Sequence, residues 1–394
     1  MMQYRRFGRT ELQMPLFSCG GMRYQYKWQD VPGEQIPADN QQNLEATIKR
    51  AVEVGINHIE TARGYGTSEL QLGKILPTYE RDRLIIQTKV SPKADSKEFL
   101  SNFEKSLTNL KLDYVDLLGI HGINNIETFN HSMRPGGCLE VAQKLQAEGK
   151  VRFIGFSTHG PSEIILQAIA TNQFDYVNLH WYYINQINWE AISAANRHDM
   201  GVFIISPSDK GGMLYKPPQK LIDLCQPLSP MVFNDLFCLS RPQVNTLSIG
   251  AAKPQDFDEH LKTLELLDRA DEILPPILHK LKQQEVASLG ENWVKTWHIG
   301  LPKFHETPGN VNIPVILALR NLAISYDLIE YTKMRYNLLG SGGDWFPGAK
   351  ADKLKQLDLS QCLAASPHAD KIPSLLVEAD QLLADREVKR LSQQ

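Results

Sequence analysis

Cysteine is scarce and scattered in this 394-residue chain: Cys19, Cys138, Cys225, Cys238 and Cys362, with no two closer than Cys225 and Cys238. That spacing argues against a disulfide framework and against paired-cysteine metal sites, and it fits a reducing, cytoplasmic setting. Long apolar runs are missing as well. None reaches the ~18 residues of a membrane span. Residues 1–13 are polar, carry the adjacent Arg5 and Arg6, and lack the apolar centre of a secretory signal. Basic residues form no long run and the net charge is −3, so there is no electrostatic footprint for nucleic acid. Also absent is the G-x-G-x-x-G turn of a doubly wound dinucleotide-binding sheet, the structural alternative to a barrel. After the first apolar run the chain reads Cys19-Gly20-Gly21-Met22.

What is present is a repeated alternation. Short β-rich runs occur at 16–19, 56–59, 84–90, 114–120, 151–156, 176–179, 202–205 and 246–249. Their nearly continuous hydrophobicity is that of buried parallel strands. Amphipathic stretches at 43–54, 69–76, 97–110, 139–148, 163–170 and 189–198 read as the intervening helices. Eight such units over roughly 250 residues predict an α/β fold, a (β/α)₈ TIM barrel. Upstream, residues 4–14 alternate around Gly8-Arg9-Thr10 and predict a small hairpin plugging the barrel bottom. The aromatic segment 23–40 follows the first strand, on the face where barrel active sites lie, and is either a substrate wall or a plain surface loop. Beyond His260 the strands stop, and 261–284, 315–329 and 375–391 read as helices. The expected division is a barrel over 1–268 and a small helical domain over 269–394.

Four side chains fall at or just beyond expected strand ends: Glu60, Tyr65, Lys89 and His121. Singly, each has an ordinary reading as a helix cap, a loop tyrosine, a solvated lysine or a structural histidine. Together they place a carboxylate, a phenol, an amine and an imidazole on strand ends two, three and four, which converge on one barrel mouth.

The stretch Ile59-Glu60-Thr61-Ala62-Arg63-Gly64-Tyr65-Gly66-Thr67-Ser68-Glu69 resembles the aldo-keto reductase signature, D-T-A-x-x-Y-G-x-S-E. Lys89 in Gln87-Thr88-Lys89, His121 after Asp113-Tyr114-Val115-Asp116, Gly155-Phe156-Ser157 and Ser206-Pro207 fit the same family over roughly residues 1–265. The resemblance implies NAD(P)H-dependent reduction of an aldehyde or ketone, with Tyr65 as proton donor. A free tyrosine has a pKa of about 10, and an adjacent Lys89 ammonium favours its deprotonation. The carboxylate at 60 would hold Lys89 charged, and His121 would orient the carbonyl. Where the family usually has Asp, this chain has Glu60, one methylene longer.

The resemblance also implies a cofactor site. Ser157 and Asn178 match the holders of the nicotinamide amide, with Thr158 where Asn is common. Gly21 and Met22 follow the first strand. Ser206, Gly211 and Gly212 match the pyrophosphate cradle, and Gly250, Lys253, Glu259 and His260 match the adenosine-phosphate loop. Ile205 replaces the usual stacking aromatic, and Asp256 stands where an arginine usually meets the 2′-phosphate, with Lys253 to compensate. NADP(H) is the expected cofactor, with NAD(H) the alternative. Tyr24, Tyr26, Trp28, Trp181 and Tyr182 are candidate walls for a small carbonyl substrate.

Farther on, Asn310-Val311-Asn312-Ile313-Pro314, Tyr326-Asp327-Leu328-Ile329-Glu330-Tyr331, Trp345-Phe346-Pro347-Gly348 and Cys362-Leu363 resemble the subgroup with a ferredoxin-like [4Fe–4S] tail. Its four ligand positions fall on Trp297, Gly300, Lys303 and Thr307, none a cysteine, so no cluster and no metal are expected. His298 and His305 without a cysteine pair read as surface histidines. The alternative to a reductase is a catalytically weak or inactive nucleotide-binding regulator on the same barrel, with the tail facing a protein partner. An electron-transfer partner without cluster ligands is the poorest reading.

Overall fold

The computed structural model describes residues 1–385; the expected helix over 375–391 and the second domain therefore end partly outside the described residues. Eight parallel strands close into a barrel: β3 Phe17–Gly20, β4 His58–Glu60, β5 Ile85–Val90, β6 Val115–His121, β7 Val151–Ser157, β8 Tyr176–Leu179, β9 Gly201–Ile204 and β10 Thr246–Ile249. They run in chain order round the barrel, with β10 closing on β3. Helices connect them, as the alternation predicts.

The preceding hairpin pairs β1 Tyr4–Arg6 with β2 Gln13–Pro15. Its turn delivers Phe7, fully buried, to the starts of β8 and β9. The Phe7 ring lies 5.7 Å from that of Tyr176, and a β-carbon on Gly201 would meet it at 2.6 Å. Gly8 adopts a left-handed backbone, and a β-carbon there would lie 2.4 Å from the Asp199 carbonyl oxygen. Phe7, Met14, Ile85, Leu117, Tyr176 and Phe203 form one buried cluster inside the barrel's lower end. Above it the interior turns polar. Ser18 Oγ lies 2.7 Å from both His58 Nδ1 and Thr246 Oγ1. Burial, with the Lys89 charge adding to it, pushes the His58 imidazole down to about 3, so it is neutral.

Helix boundaries shift modestly from expectation, for local reasons. The third amphipathic stretch begins at Ser96 because Asp95 caps it, accepting from Lys97 N–H at 2.9 Å. The stretch expected over 315–329 forms the helix Ile313–Tyr326, which ends where Asp327 turns left-handed, and a further helix that the sequence reading lacks, Ile329–Tyr336, follows. The helix Ala270–Leu289 contains Pro275 and Pro276. Helices over Ile126–Met133 and Pro230–Leu239 have no counterpart in the sequence reading.

By its internal contacts the chain divides into two compact units. One comprises Met1–Gly211 and Met231–Ala270, the other Gly212–Pro230 and Asp271–Gln394. The second unit thus includes a stretch that the sequence reading leaves inside the barrel. Among the described residues no helix is long and apolar enough to cross a membrane, and no group of three or more His, Cys, Asp or Glu is placed to hold a metal ion.

Truncating the plug tests its contribution. Phe7→Ala should cost about 3–5 kcal/mol, as for other buried phenylalanines, read as a lower urea midpoint. A cost below about 1 kcal/mol would mean that the hairpin is a surface ornament.

Candidate active site

Three adjacent strands build the site. Lys89 is the penultimate residue of β5 and pairs in register with Gly119 on β6. A β-carbon at Gly119 would lie 2.9 Å from Lys89 Cγ, so glycine there makes room for the lysine stem to rise inside the barrel. Glu60 ends β4 beside it. The Lys89 ammonium donates to Glu60 Oε1 and, at 2.7 Å, to the Thr61 carbonyl. Both charged side chains are almost completely buried, at 1% and 4% exposure. Glu60's second oxygen accepts from Ser248 Oγ on β10 at 3.3 Å. The extra methylene of Glu is therefore accommodated: one carboxylate reaches neighbours on both sides of its strand.

Burial lowers the Lys89 pKa, and the Glu60 carboxylate opposes that shift. Two of the three ammonium protons are engaged, which leaves one for the Tyr65 side. Lys89 Nζ sits 5.0 Å from the centre of the Tyr65 ring. The His121 ring meets that of Tyr65 edge-on at 5.7 Å. Tyr65 and His121 are half-buried, so the mouth is open to solvent where they meet. The four side chains singled out in the sequence thus converge.

The wall over Tyr65 is firmly docked. Gly66 has a left-handed backbone, and a β-carbon there would lie 1.9 Å from the Lys27 carbonyl oxygen. Thr67 N–H donates to that same carbonyl at 3.0 Å, and Tyr26 N–H donates to Gln71 Oε1 at 2.9 Å. Arg63 bridges Asp30 of the wall and the buried Glu69, whose carboxyl burial pushes up. Trp28 is thereby set edge-on to Tyr65, with ring centres 6.1 Å apart. Of the five aromatics expected to line a pocket, only Tyr26 and Trp28 are partly exposed. Tyr24, Trp181 and Tyr182 are buried, with Trp181 stacked on Phe237 at 4.9 Å, because their rings complete the packing around the barrel.

The expected cofactor residues separate into groups. His121, Ser157 and Asn178 are successive register partners across β6, β7 and β8. Ser157 Oγ and both side-chain amide atoms of Asn178 are buried without a hydrogen-bond partner among the described residues. An orphaned hydroxyl and carboxamide, side by side, call for a ligand with its own donors and acceptors, such as a carboxamide. Gly21 allows a close approach, since a β-carbon would lie 2.6 Å from the Glu60 carbonyl oxygen; Met22 follows, half-buried. Ser206 is left-handed and its carbonyl accepts from Lys210 N–H at 3.0 Å. A β-carbon on Gly211 would collide with the Pro207 carbonyl at 2.0 Å, and Gly212 has φ +125°. Gly250 lies against Arg23, whose Cδ would be 3.0 Å from a β-carbon there.

Others are engaged by the protein itself. Thr158 Oγ1 donates to the Ile123 carbonyl at 2.7 Å. Lys253 is exposed, and its N–H donates to Asp256 Oδ2 at 3.3 Å, so Asp256 serves its own turn. Glu259 pairs with Lys262. His260 is buried against Asp235, Nδ1 to Oδ2 at 2.5 Å, with Ser208 Oγ 3.4 Å from Nε2. Three basic side chains escaped the sequence reading: His159, His180 and Lys210, which meet beyond the ends of β7, β8 and β9. No local motif marks them, since each comes from a different strand end.

Comparison with known proteins bears on the family and the fold. A model described as "Aldo/keto reductase family" matches residues 18–272. An uncharacterized oxidoreductase of Bacillus subtilis, YqkF, is 26% identical over 183 residues, covering 43% of this chain and 57% of that protein. The L-galactose dehydrogenase of Arabidopsis thaliana is 35% identical over 121 residues, 28% of this chain and 37% of that protein. The chain therefore matches little more than half the length of these curated relatives, or less. Among solved structures, the aldo-keto reductase AKR11C1 of Bacillus halodurans superposes with a TM-score of 0.60 at 19% identity, covering 71% of this chain and 96% of that one. A Klebsiella pneumoniae aldo-keto reductase in complex with NADPH gives a TM-score of 0.55 at 21% identity, covering 70% and 96%. Likeness at these identities shows the fold.

The ion pair makes a pH-dependent prediction. Glu60→Gln removes the group that opposes the lowering of Lys89. The folded protein then holds that proton more weakly than the unfolded chain, so stability falls as pH drops below the unfolded lysine value and recovers as pH rises toward it. At neutral pH the loss should be about 3–5 kcal/mol, the cost of orphaning a buried charge, and it should shrink by about pH 9. Equal losses at both pH values in urea unfolding would show that Glu60 does not hold the Lys89 charge.

Proposed function

Because the chain belongs to the aldo/keto reductase family, we propose that it is an NAD(P)H-dependent reductase of an aldehyde or ketone, with Tyr65 as the proton donor. The observation that carries this reading is the buried Lys89–Glu60 pair set under the Tyr65 ring. Ser157 and Asn178 would hold the nicotinamide carboxamide, their orphaned atoms being of the right kind. The 206–211 turn, with Gly21 and Met22, would follow the rest of the dinucleotide. The bound cofactor supplies a hydride.

The chain's own residues handle the proton. A carbonyl oxygen that gains negative charge needs a donor close by, and a phenol beside a buried ammonium surrenders its proton more readily than one in water. Glu60 and the Thr61 carbonyl keep the ammonium aimed, and Ser248 keeps Glu60 aimed. The His121 ring, edge-on to Tyr65, supplies a second polar group for the same oxygen. Trp28 bounds the approach. Reprotonation of Tyr65 from solvent is open, since the residue is half-buried.

For the second unit the proposal is a helical tail without an iron–sulfur cluster. A β-carbon at Gly300 would lie 2.2 Å from the Ala365 carbonyl oxygen, and Thr307 Oγ1 is hydrogen-bonded to the carbonyls of Phe304 and Val311. A cysteine side chain therefore has no room at 300, and the oxygen at 307 is already engaged by backbone carbonyls, so these residues do not fit as ligands of such a group.

The test is NADPH oxidation, followed by absorbance with a panel of aldehydes and ketones. Tyr65→Phe should lower kcat/KM by about 10²–10⁴-fold, the usual worth of a positioned acid, while the nucleotide Kd stays unchanged. Undiminished turnover in Tyr65→Phe would refute the proton-donor role. Nucleotide binding without turnover of any carbonyl would favour the regulatory alternative.

A further inference from the structure

The loop that carries Tyr65 is held from beneath by groups that the proposed chemistry does not use. Thr61 N–H donates to the Gln87 carbonyl at 2.8 Å and Arg63 N–H to the Lys89 carbonyl at 2.9 Å, so residues 61–63 run along the end of β5. Tyr65 N–H then closes a turn on the Ala62 carbonyl at 3.0 Å. Glu69, from the helix Ser68–Ile75, reaches the same strand and loop. Its Oε1 accepts from Oγ1 of Thr88, the residue before Lys89, at 2.6 Å. Its Oε2 lies 3.5 Å from Nη1 of Arg63, whose Nη2 donates to Asp30 of the wall.

The Glu69 side chain has no exposed surface, whereas that of Asp30, at the outer end of the bridge, is 55% exposed. A buried carboxylate is costly, and a carboxamide of nearly the same shape is much less so. Burial pushes the Glu69 carboxyl up; hydrogen bonds from Thr88 and Ser106, the Arg63 charge and a hydrogen bond from Asn109 oppose that shift. A glutamine carbonyl also accepts hydrogen bonds, so Thr88, Ser106 and Asn109 do not account for a charge. The neighbouring cations do. One is Arg63. The other is Lys89, whose pKa burial lowers and whose ammonium the charges of Glu60 and Glu69 both favour. The first of these cations fastens the Tyr65 loop to β5, and the second lies under the Tyr65 ring.

We propose that Glu69 and Arg63 are a positioning pair for Tyr65: the buried carboxylate anchors the guanidinium, and the anchored residue keeps the 61–65 loop on β5 so that the phenol stays over the Lys89 ammonium. This deepens the reductase reading and rests on it for the role of Tyr65. Neither member of the pair touches the reacting atoms; both act through the placement of the phenol. The titratable groups set against the Tyr65 ring are Lys89 from β5 and His121 from β6; those facing Glu69 are Arg63 and Lys89, and Asp30 faces Arg63.

Glu69→Gln keeps the shape and the Thr88 bond and removes the charge. With a carbonyl that the wild type reduces, kcat should fall about tenfold or more while KM stays within about twofold, since a displaced acid loses rate and not ground-state binding. The phenol gives a second readout that needs no turnover. In protein with ¹³C-labelled tyrosine, the Tyr65 resonance is identified by its loss in Tyr65→Phe and followed against pH. The measurement uses the double variant Glu69→Gln with Arg63→Met, in which one negative and one positive charge leave together, so that their direct fields on the phenol nearly cancel. A phenol that has slipped from its ammonium gives up its proton at higher pH, so the midpoint should rise. The double variant also leaves no orphaned buried ion, and its unfolding midpoint confirms that it is folded. An unchanged Tyr65 midpoint in the folded double variant would overturn the proposal, and so would an undiminished kcat in Glu69→Gln. A raised midpoint in a protein whose wild type turns over no carbonyl would sink the reductase reading and leave the positioning pair standing.

Discussion

The buried pair of Lys89 and Glu60 is the interaction around which the barrel mouth is organised. Taking an ammonium and a carboxylate out of water costs several kcal/mol each, and their mutual attraction returns that only when geometry and further hydrogen bonds are good. Here the further bonds exist: the Thr61 carbonyl on the ammonium and the Ser248 hydroxyl on the carboxylate. Two glycines belong to the same arrangement. Gly119 clears space for the lysine stem, and Gly21 lets the end of β3 approach Glu60's backbone. Such a pair contributes little net stability. What it supplies is a fixed positive charge under an accessible phenol.

The barrel was legible in the sequence because buried parallel strands leave short, continuous apolar runs, and the spacing of eight of them admits few topologies. The four convergent side chains were legible for a related reason. Each lies at or near a strand end, and strand ends in a barrel meet. Residues whose roles depend on how loops pack were harder to read. Trp181 is buried against Trp189 and Phe237, the latter from a distant stretch, and Tyr182 is buried with its hydroxyl on the Ile205 carbonyl. His260 looked like part of a nucleotide loop, but its fate is set by Asp235, 25 residues away. The cluster of His159, His180 and Lys210 combines three strand ends, and no spacing rule announces it.

Helix boundaries show the same division between local and distant causes. Asp95 and Asp327 act through their own hydrogen bonds or backbone conformation, and a reader of the sequence can anticipate them. The assignment of 212–230 to the second unit depends on contacts made far along the chain, which composition and periodicity do not record.

The docking of the 23–37 segment has a thermodynamic corollary. Gly66 pressed on Lys27, the Thr67 and Gln71 hydrogen bonds and the Asp30–Arg63–Glu69 bridge hold Trp28 in place before any ligand arrives. A recognition surface that is already ordered loses little conformational entropy on association. Were this segment the substrate wall of the proposed reductase, selectivity there would come from steric fit, since the surface does not reshape itself to receive a mismatched guest.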